Sequence, residues 1–253
     1  MDALETHIID LDAWLSLPAG QYIKDWEQAA LSRLVVDIFG FHALQIGMPQ
    51  IDALSASRMP HRWQSVGPHA PRIASPATRA IAVVHDFTEL PFDSQCMDLV
   101  ILPHVLEFAE EPHQILREVE RILIPEGRLL ITGFNRASSW GVRQALGRLR
   151  DSYFLPKEGE FISPARLKDW LKLLSMEVGS LEYGCYALPL RSEKWLQRNA
   201  MLEKIGKRWC PFVGAVYMMQ AVKRVRGMHL IGPAWKNKKR ARVQAVPVAN
   251  SKK

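Results

Sequence analysis

The sequence predicts an α/β protein of three layers, a mostly parallel sheet between helices, and three observations carry that reading. Between Ala82 and Asn135 the chain passes through strand, turn, strand, helix and strand in succession, the rhythm of parallel strands joined by a crossover helix. The runs Ala80 to Val84 and Asp98 to Leu102 are continuous and β-friendly, as expected of strands buried on both faces. Between them and the next run, Ile115, Leu116, Val119, Ile122 and Leu123 mark one face of a helix, with Arg117, Glu118 and Arg121 assigned to the opposite face.

The elements follow in order. Tyr22, Ile23, Trp26, Ala30, Leu34 and Ile38 recur at spacings of three and four, an amphipathic helix over 20–39 that Gly40 is expected to stop. The face made by Trp26, Ala30 and Leu34 reads as core. Ala43 to Gly47 suits a first strand, 50–58 a short helix, and Arg62 to Val66 a second strand. The three prolines in 67–76 make that stretch a loop. Pro125-Glu126-Gly127 ends the crossover helix and leads into a strand over Arg128 to Thr132. A helix follows at about 138–150, where Ser138 or Ser139 suits a cap. Another runs from Ser163-Pro164 to Met176, with proline at its first helical position. Residues 188–210 look partly helical, a substrate-side insertion. No internal repeat is present.

Composition narrows the class. At 253 residues and 48% hydrophobic content, the chain can bury one substantial core. No apolar run approaches the roughly 20 residues that span a bilayer. Acids stand in the N-terminal segment where a signal peptide needs bases, so a cytoplasmic protein is expected. Cys96, Cys185 and Cys210 are widely spaced and give no metal-ligand pattern. The net charge of +7 is unevenly placed: thirteen Lys and Arg and no acid follow Glu203, which leaves −6 on residues 1–203. From Gly227 onward there is little periodicity, and disorder is expected. The domain boundaries expected are a helical extension over 1–40, a sheet domain over 41–226 and a basic tail over 227–253.

Four motifs stand in order: Asp86 to Phe92 with its Leu90-Pro91-Phe92 turn, Met97 to Val100, His104 to Phe108, and Ile124-Pro125-Glu126-Gly127. They resemble the second half of a class I S-adenosylmethionine-dependent methyltransferase of the small-molecule type, the type 11 methyltransferase domain. The resemblance implies a Rossmann-like sheet whose antiparallel closing pair would be Val178 to Ala187 and Val213 to Val222. Phe39-Gly40-Phe41-His42 and Gly133-Phe134-Asn135 look like a bacterial branch of that family whose glycine-rich turn is degenerate. Here the turn is Gln45-Ile46-Gly47-Met48-Pro49: Gly47 is kept, Gln45 stands for the family's acid, and Pro49 for its second glycine, offering no N–H to a ligand. Val66-Gly67-Pro68 supplies no acid for the ribose hydroxyls.

Ligands of such sheets bind at the carboxyl ends of the strands. The cofactor expected is S-adenosylmethionine, with Gly47, Asp86, Phe87, Leu90, Pro103 and His104 as its contacts. The resemblance gives Asp86 the adenine amino group and Phe87 the purine face; read without it, Asp86 is an aspartate that caps a turn. His104, followed by Glu107, is either a general base toward an amine or hydroxyl acceptor or a residue that orients its loop. Methyl transfer to an unidentified acceptor is the first function expected. The alternative is a catalytically inactive descendant of the fold that binds a nucleotide-like ligand or a nucleic acid. A nicotinamide oxidoreductase is disfavoured, because no Gly-x-Gly-x-x-Gly follows a strand. Trp235 and the Lys236 to Arg242 cluster suit a polyanion, or serve only to solubilise.

Overall fold

A computed structural model describes residues 11–68, 82–148, 154–156, 159–189 and 200–224. The basic tail and most of the proline-rich loop lie outside the described residues.

Seven strands form one sheet in the order β3-β2-β1-β4-β5-β7-β6. They are β1 His42–Ile46, β2 His61–Val66, β3 Val83–Val84, β4 Met97–Pro103, β5 Leu123–Phe134, β6 Met176–Gly184 and β7 Val216–Lys223. β1 pairs in parallel with β2 and β4, and β4 with β5, while β7 runs antiparallel to both β5 and β6. This is the three-layer α/β sheet with an antiparallel last strand that the sequence predicts. The strand order reverses between β1 and β4, and their carboxyl ends open the crevice where such folds take ligands.

The helices are α1 Leu11–Leu15, α2 Pro18–Val35, α3 Pro112–Ile122, α4 Ser139–Arg148, α5 Pro164–Leu173 and α6 Ala200–Trp209, with a 3₁₀ turn at Pro211–Val213. α3 buries Ile115, Leu116, Val119 and Ile122 as its period requires. α5 starts at Ser163, whose hydroxyl accepts from Arg166 N at 3.3 Å, and α4 starts at Ser138, whose Oγ accepts from Gly141 N at 3.0 Å. One face of the sheet packs on α1 and α2 through Trp14, Ile23, Leu31 and Val35, and the other packs on α3 and α5.

Four expectations need correction. α2 ends at Val35, before Gly40; Gly40 instead lets the chain pass Asp98, whose Oδ2 accepts from Phe41 N and His42 N, both at 2.9 Å. Residues 51–56 form turns and no helix, because the side chain of Gln45 takes up their backbone groups. β3 is not buried on both faces; it is the sheet's edge strand, and Val84 is exposed. Helix α3 stops at Ile122, and β5 already begins at Leu123, ahead of Pro125-Glu126-Gly127.

Candidate functional site

The first strand leads into Gly47, which adopts φ +74°. A Cβ there would lie 2.8 Å from Val105 Cγ2 and 3.8 Å from Phe87 Cζ, so only glycine fits between β1 and its neighbours. Gln45 explains how this turn holds without the family's acid. Its Oε1 accepts from Ala53 N at 3.0 Å, and its Nε2 donates to the carbonyls of Met48 at 3.0 Å and Ile51 at 2.7 Å, with a longer bond to Gly47 at 3.3 Å. A carboxylate has no proton for those carbonyls; the glutamine suits a turn whose carbonyls face inward.

Beside this turn, Phe87 lies across the ends of β1 and β2, its Cζ 3.5 Å from where a Gly67 Cβ would stand. Asp86 is exposed, and its Oδ1 accepts from Thr88 N and Thr88 Oγ1, both at 2.9 Å. Those two bonds hold its carboxyl below the usual range. The Leu90-Pro91-Phe92 turn that follows is clamped from α3: Leu90 N donates to Glu118 Oε2 at 3.1 Å, and Arg121 donates to the carbonyls of Leu90 and Phe92, each at 2.9 Å. Glu118 and Arg121, assigned from the sequence to a solvent face, are therefore the brace of this turn, paired with each other at 2.8 Å. Leu90 itself is buried in the core between the sheet and α3.

β4 ends at the buried Pro103, and His104 turns the chain at φ +54°. Its imidazole is fully enclosed. Nδ1 stands 2.8 Å from Glu107 Oε2, and Nε2 stands 2.8 Å from Glu27 Oε1 on α2. Glu107 Oε1 in turn accepts from Phe134 N at 2.6 Å, which ties β4 to β5. Gly133 leaves room for this, since a Cβ there would meet Tyr217 Oη at 2.7 Å and Glu107 Oε1 at 3.1 Å. Burial opposes charge on His104, but the two carboxylates outweigh it and carry its pKa up to about 10. Burial raises Glu107 to about 6 against the pull of His104. His104 is thus an imidazolium with both nitrogens committed as donors, and Phe134 lies against it with ring centroids 4.3 Å apart. Glu27 was not singled out from the sequence. Its signal was available: an acid four residues after Ile23, on the apolar face of α2.

On the far side of α2, a cleft of about 300 Å³ opens toward β6 and α6. Trp26, Tyr183 and Tyr186 wall it, with Arg33, Glu203 and Lys207 among its polar lining. Glu203 is held by Tyr186 N at 3.0 Å and by the Tyr22 hydroxyl, and burial raises its pKa. Trp26, read as core, packs on the core and also lines this cleft. The structure therefore sets Gly47, Asp86 and Phe87 about the ends of β1 to β3, while Leu90, Pro103 and His104 are buried. Among the described residues no group of His, Cys, Asp or Glu could hold a metal ion.

The sheet order, the left-handed glycine after β1 and the aspartate after β3 define a class I methyltransferase fold. Residues 66–131 match the family model described as a methyltransferase domain. The chain belongs to the class I S-adenosylmethionine-dependent methyltransferase family, whose methyl donor is S-adenosylmethionine. It is 30% identical over 172 residues to the Escherichia coli protein YafS, covering 68% of this chain and 67% of that protein. It spans 42% to 48% of the length of further curated relatives. Among solved structures, a chain from the complex described as joining the Haloferax volcanii Trm112 methyltransferase activator to a candidate methyltransferase superposes with a TM-score of 0.58 at 19% identity, over 85% of this chain and 98% of that one. A Thermotoga maritima methyltransferase, described as a possible histamine N-methyltransferase, also gives 0.58 at 16% identity, over 81% and 91%. These two likenesses concern the fold.

The residues present suit the donor at three points. Gly47 gives the turn after β1 its left-handed backbone, buried against Val105 and Phe87, Asp86 presents an exposed carboxylate with only Oδ1 engaged, and the half-buried Phe87 ring follows it in the chain. They lack three features of the family pattern: the acid that Gln45 replaces, the second glycine that Pro49 replaces, and an acid after β2.

Proposed function

We propose that this chain transfers the methyl group of S-adenosylmethionine to an acceptor bound over the carboxyl ends of β4 and β5. The observation that carries this reading is the grouping of Gly47, Asp86 and Phe87 at the ends of neighbouring strands, within the family's sheet. Asp86 accepts the adenine amino group, Phe87 covers the purine, and Gly47 admits the methionine and ribose portions. The sulfonium supplies an activated methyl group, so the protein's work is to align donor and nucleophile.

Leu90 and Pro103 shape the floor of the site. His104 is a positioning residue: its ion pairs with Glu27 and Glu107 fix the exit of β4 to α2 and β5. An imidazolium with both nitrogens engaged has no lone pair for an acceptor proton. The setting we propose is the cytoplasm of a bacterium, a compartment in which the free thiols of Cys96, Cys185 and Cys210 stay reduced.

The test is transfer of labelled methyl from S-adenosylmethionine into a bacterial metabolite and lipid extract. Label incorporated by the native chain and lost with Asp86→Ala is the expected result. A chain that binds S-adenosylhomocysteine yet transfers no label to any fraction contradicts the catalytic reading and leaves the inactive, ligand-binding descendant.

A further inference from the structure

The last turn of α6 and the 3₁₀ turn after it present apolar side chains to solvent. Trp209 is 77% exposed, Phe212 69% and Val213 44%. Side chains of this size rarely cluster outside the core of a protein without a partner. The backbone that carries them is fixed. Cys210 N donates to Gly206 O at 2.9 Å, Val213 N to Cys210 O at 3.1 Å, Tyr186 Oη to Pro211 O at 2.8 Å, and Asn135 Nδ2 to Phe212 O at 2.8 Å. Phe212 is further propped edge-on against Tyr183, with ring centroids 5.9 Å apart. The structure thus spends several hydrogen bonds on holding a water-facing apolar ridge in place.

The charge around the ridge selects its partner. Lys207 and Arg208 are exposed immediately before Trp209, and no acid follows Glu203 in the chain. Glu203 itself is turned inward to Tyr186 and Tyr22. An apolar ridge with a tryptophan, flanked by bases, is the chemistry of an anionic bilayer surface, where aromatic rings sit at headgroup depth and bases meet lipid phosphates. A second copy of this chain would set Lys207 and Arg208 against their own likeness. A nucleic acid would engage the bases but gains nothing from Val213 or Pro211.

We propose that residues 207–213 dock the protein on an anionic membrane surface, with Trp209, Phe212 and Val213 entering the headgroup layer. Lys207 belongs to both this face and the cleft beside it, so a docked chain holds the cleft near the lipid.

The test is cosedimentation of the full chain with phosphatidylcholine vesicles made with and without phosphatidylglycerol. Binding to the anionic vesicles is expected, with at least a tenfold loss for Trp209→Ser combined with Phe212→Ser at an unchanged thermal midpoint. Lys207→Gln and Arg208→Gln should each weaken binding about fivefold and erode the preference for phosphatidylglycerol. Three results overturn the proposal: no vesicle binding by the native chain, undiminished binding by the double variant, or a dimer in sedimentation velocity that the double variant dissolves.

Discussion

Replacing His104 with asparagine tests the buried network that joins α2 to the sheet. Asparagine tolerates the left-handed backbone at this position, so the change removes the cation with little backbone strain. What remains is a pair of buried carboxylates, Glu27 and Glu107, that face each other without a counter-ion. The magnitude follows from the pKa displacements. His104 rises from 6.5 to about 10, and at about 1.4 kcal/mol per unit this contributes about 5 kcal/mol, present below pH 6.5 and lost as pH rises through 10. Glu107 rises from 4.5 to about 6, which opposes folding by about 2 kcal/mol once pH exceeds 6. The net of about 3 kcal/mol matches the roughly 3 to 5 kcal/mol that breaking a buried pair costs. Urea unfolding should therefore show His104→Asn destabilised by about 3 to 5 kcal/mol at pH 7, a midpoint lower by about 1 to 2 M. At pH 5 the His104 contribution is still fully present while most of the Glu107 penalty has gone, so the deficit should rise to about 4 to 5 kcal/mol. A deficit below about 1 kcal/mol at pH 7, or one that does not vary with pH, refutes the charged network.

Further outcomes follow from the turn and the tail. Gln45→Glu should destabilise the chain by about 2 to 4 kcal/mol in the same unfolding assay, since the carbonyls of Met48 and Ile51 lose their buried donor; a neutral result means the glutamine is incidental. Pro49→Gly alone should not raise affinity for S-adenosylhomocysteine a hundredfold, about 2.7 kcal/mol, because Gln45 and the missing acid after Val66 remain; titration calorimetry decides. Ending the chain at Arg226 should leave the thermal midpoint nearly unchanged, as β7 closes at Lys223, while binding to nucleic acid weakens and loses salt dependence. A large fall in the midpoint would show that Trp235 and its neighbours dock on the domain.

The sheet was legible because its signals are local and repeated. Continuous apolar runs placed β4, and the period of Ile115, Leu116, Val119 and Ile122 placed α3. Short-range punctuation misled where long-range bonds overrule it: Gly40 reads as a helix stop but serves a close approach to Asp98, and the 51–56 segment obeys Gln45. The place of Asp86 and Phe87 just after a strand was readable from the sequence. The Glu27–His104–Glu107 network was only half readable, since Glu107 neighbours His104 in sequence while Glu27 arrives from 77 residues away. Charge on an apolar helix face was the one clue. The brace of Glu118 and Arg121 was hidden for a similar reason, because long polar side chains look alike whether they meet water or a turn.

Calorimetric titration of the native chain and of Asp86→Ala with S-adenosylhomocysteine tests the central claim most directly. Asp86 is exposed and its carboxylate bonds only to Thr88, so the substitution leaves the core intact. Saturable heat from the native chain is expected, with affinity lower by roughly tenfold or more in the variant as a carboxylate hydrogen bond to the adenine is lost. No heat from the native chain at millimolar ligand, or equal affinity for the two proteins, would contradict the placement of the methyl donor between Gly47 and Asp86.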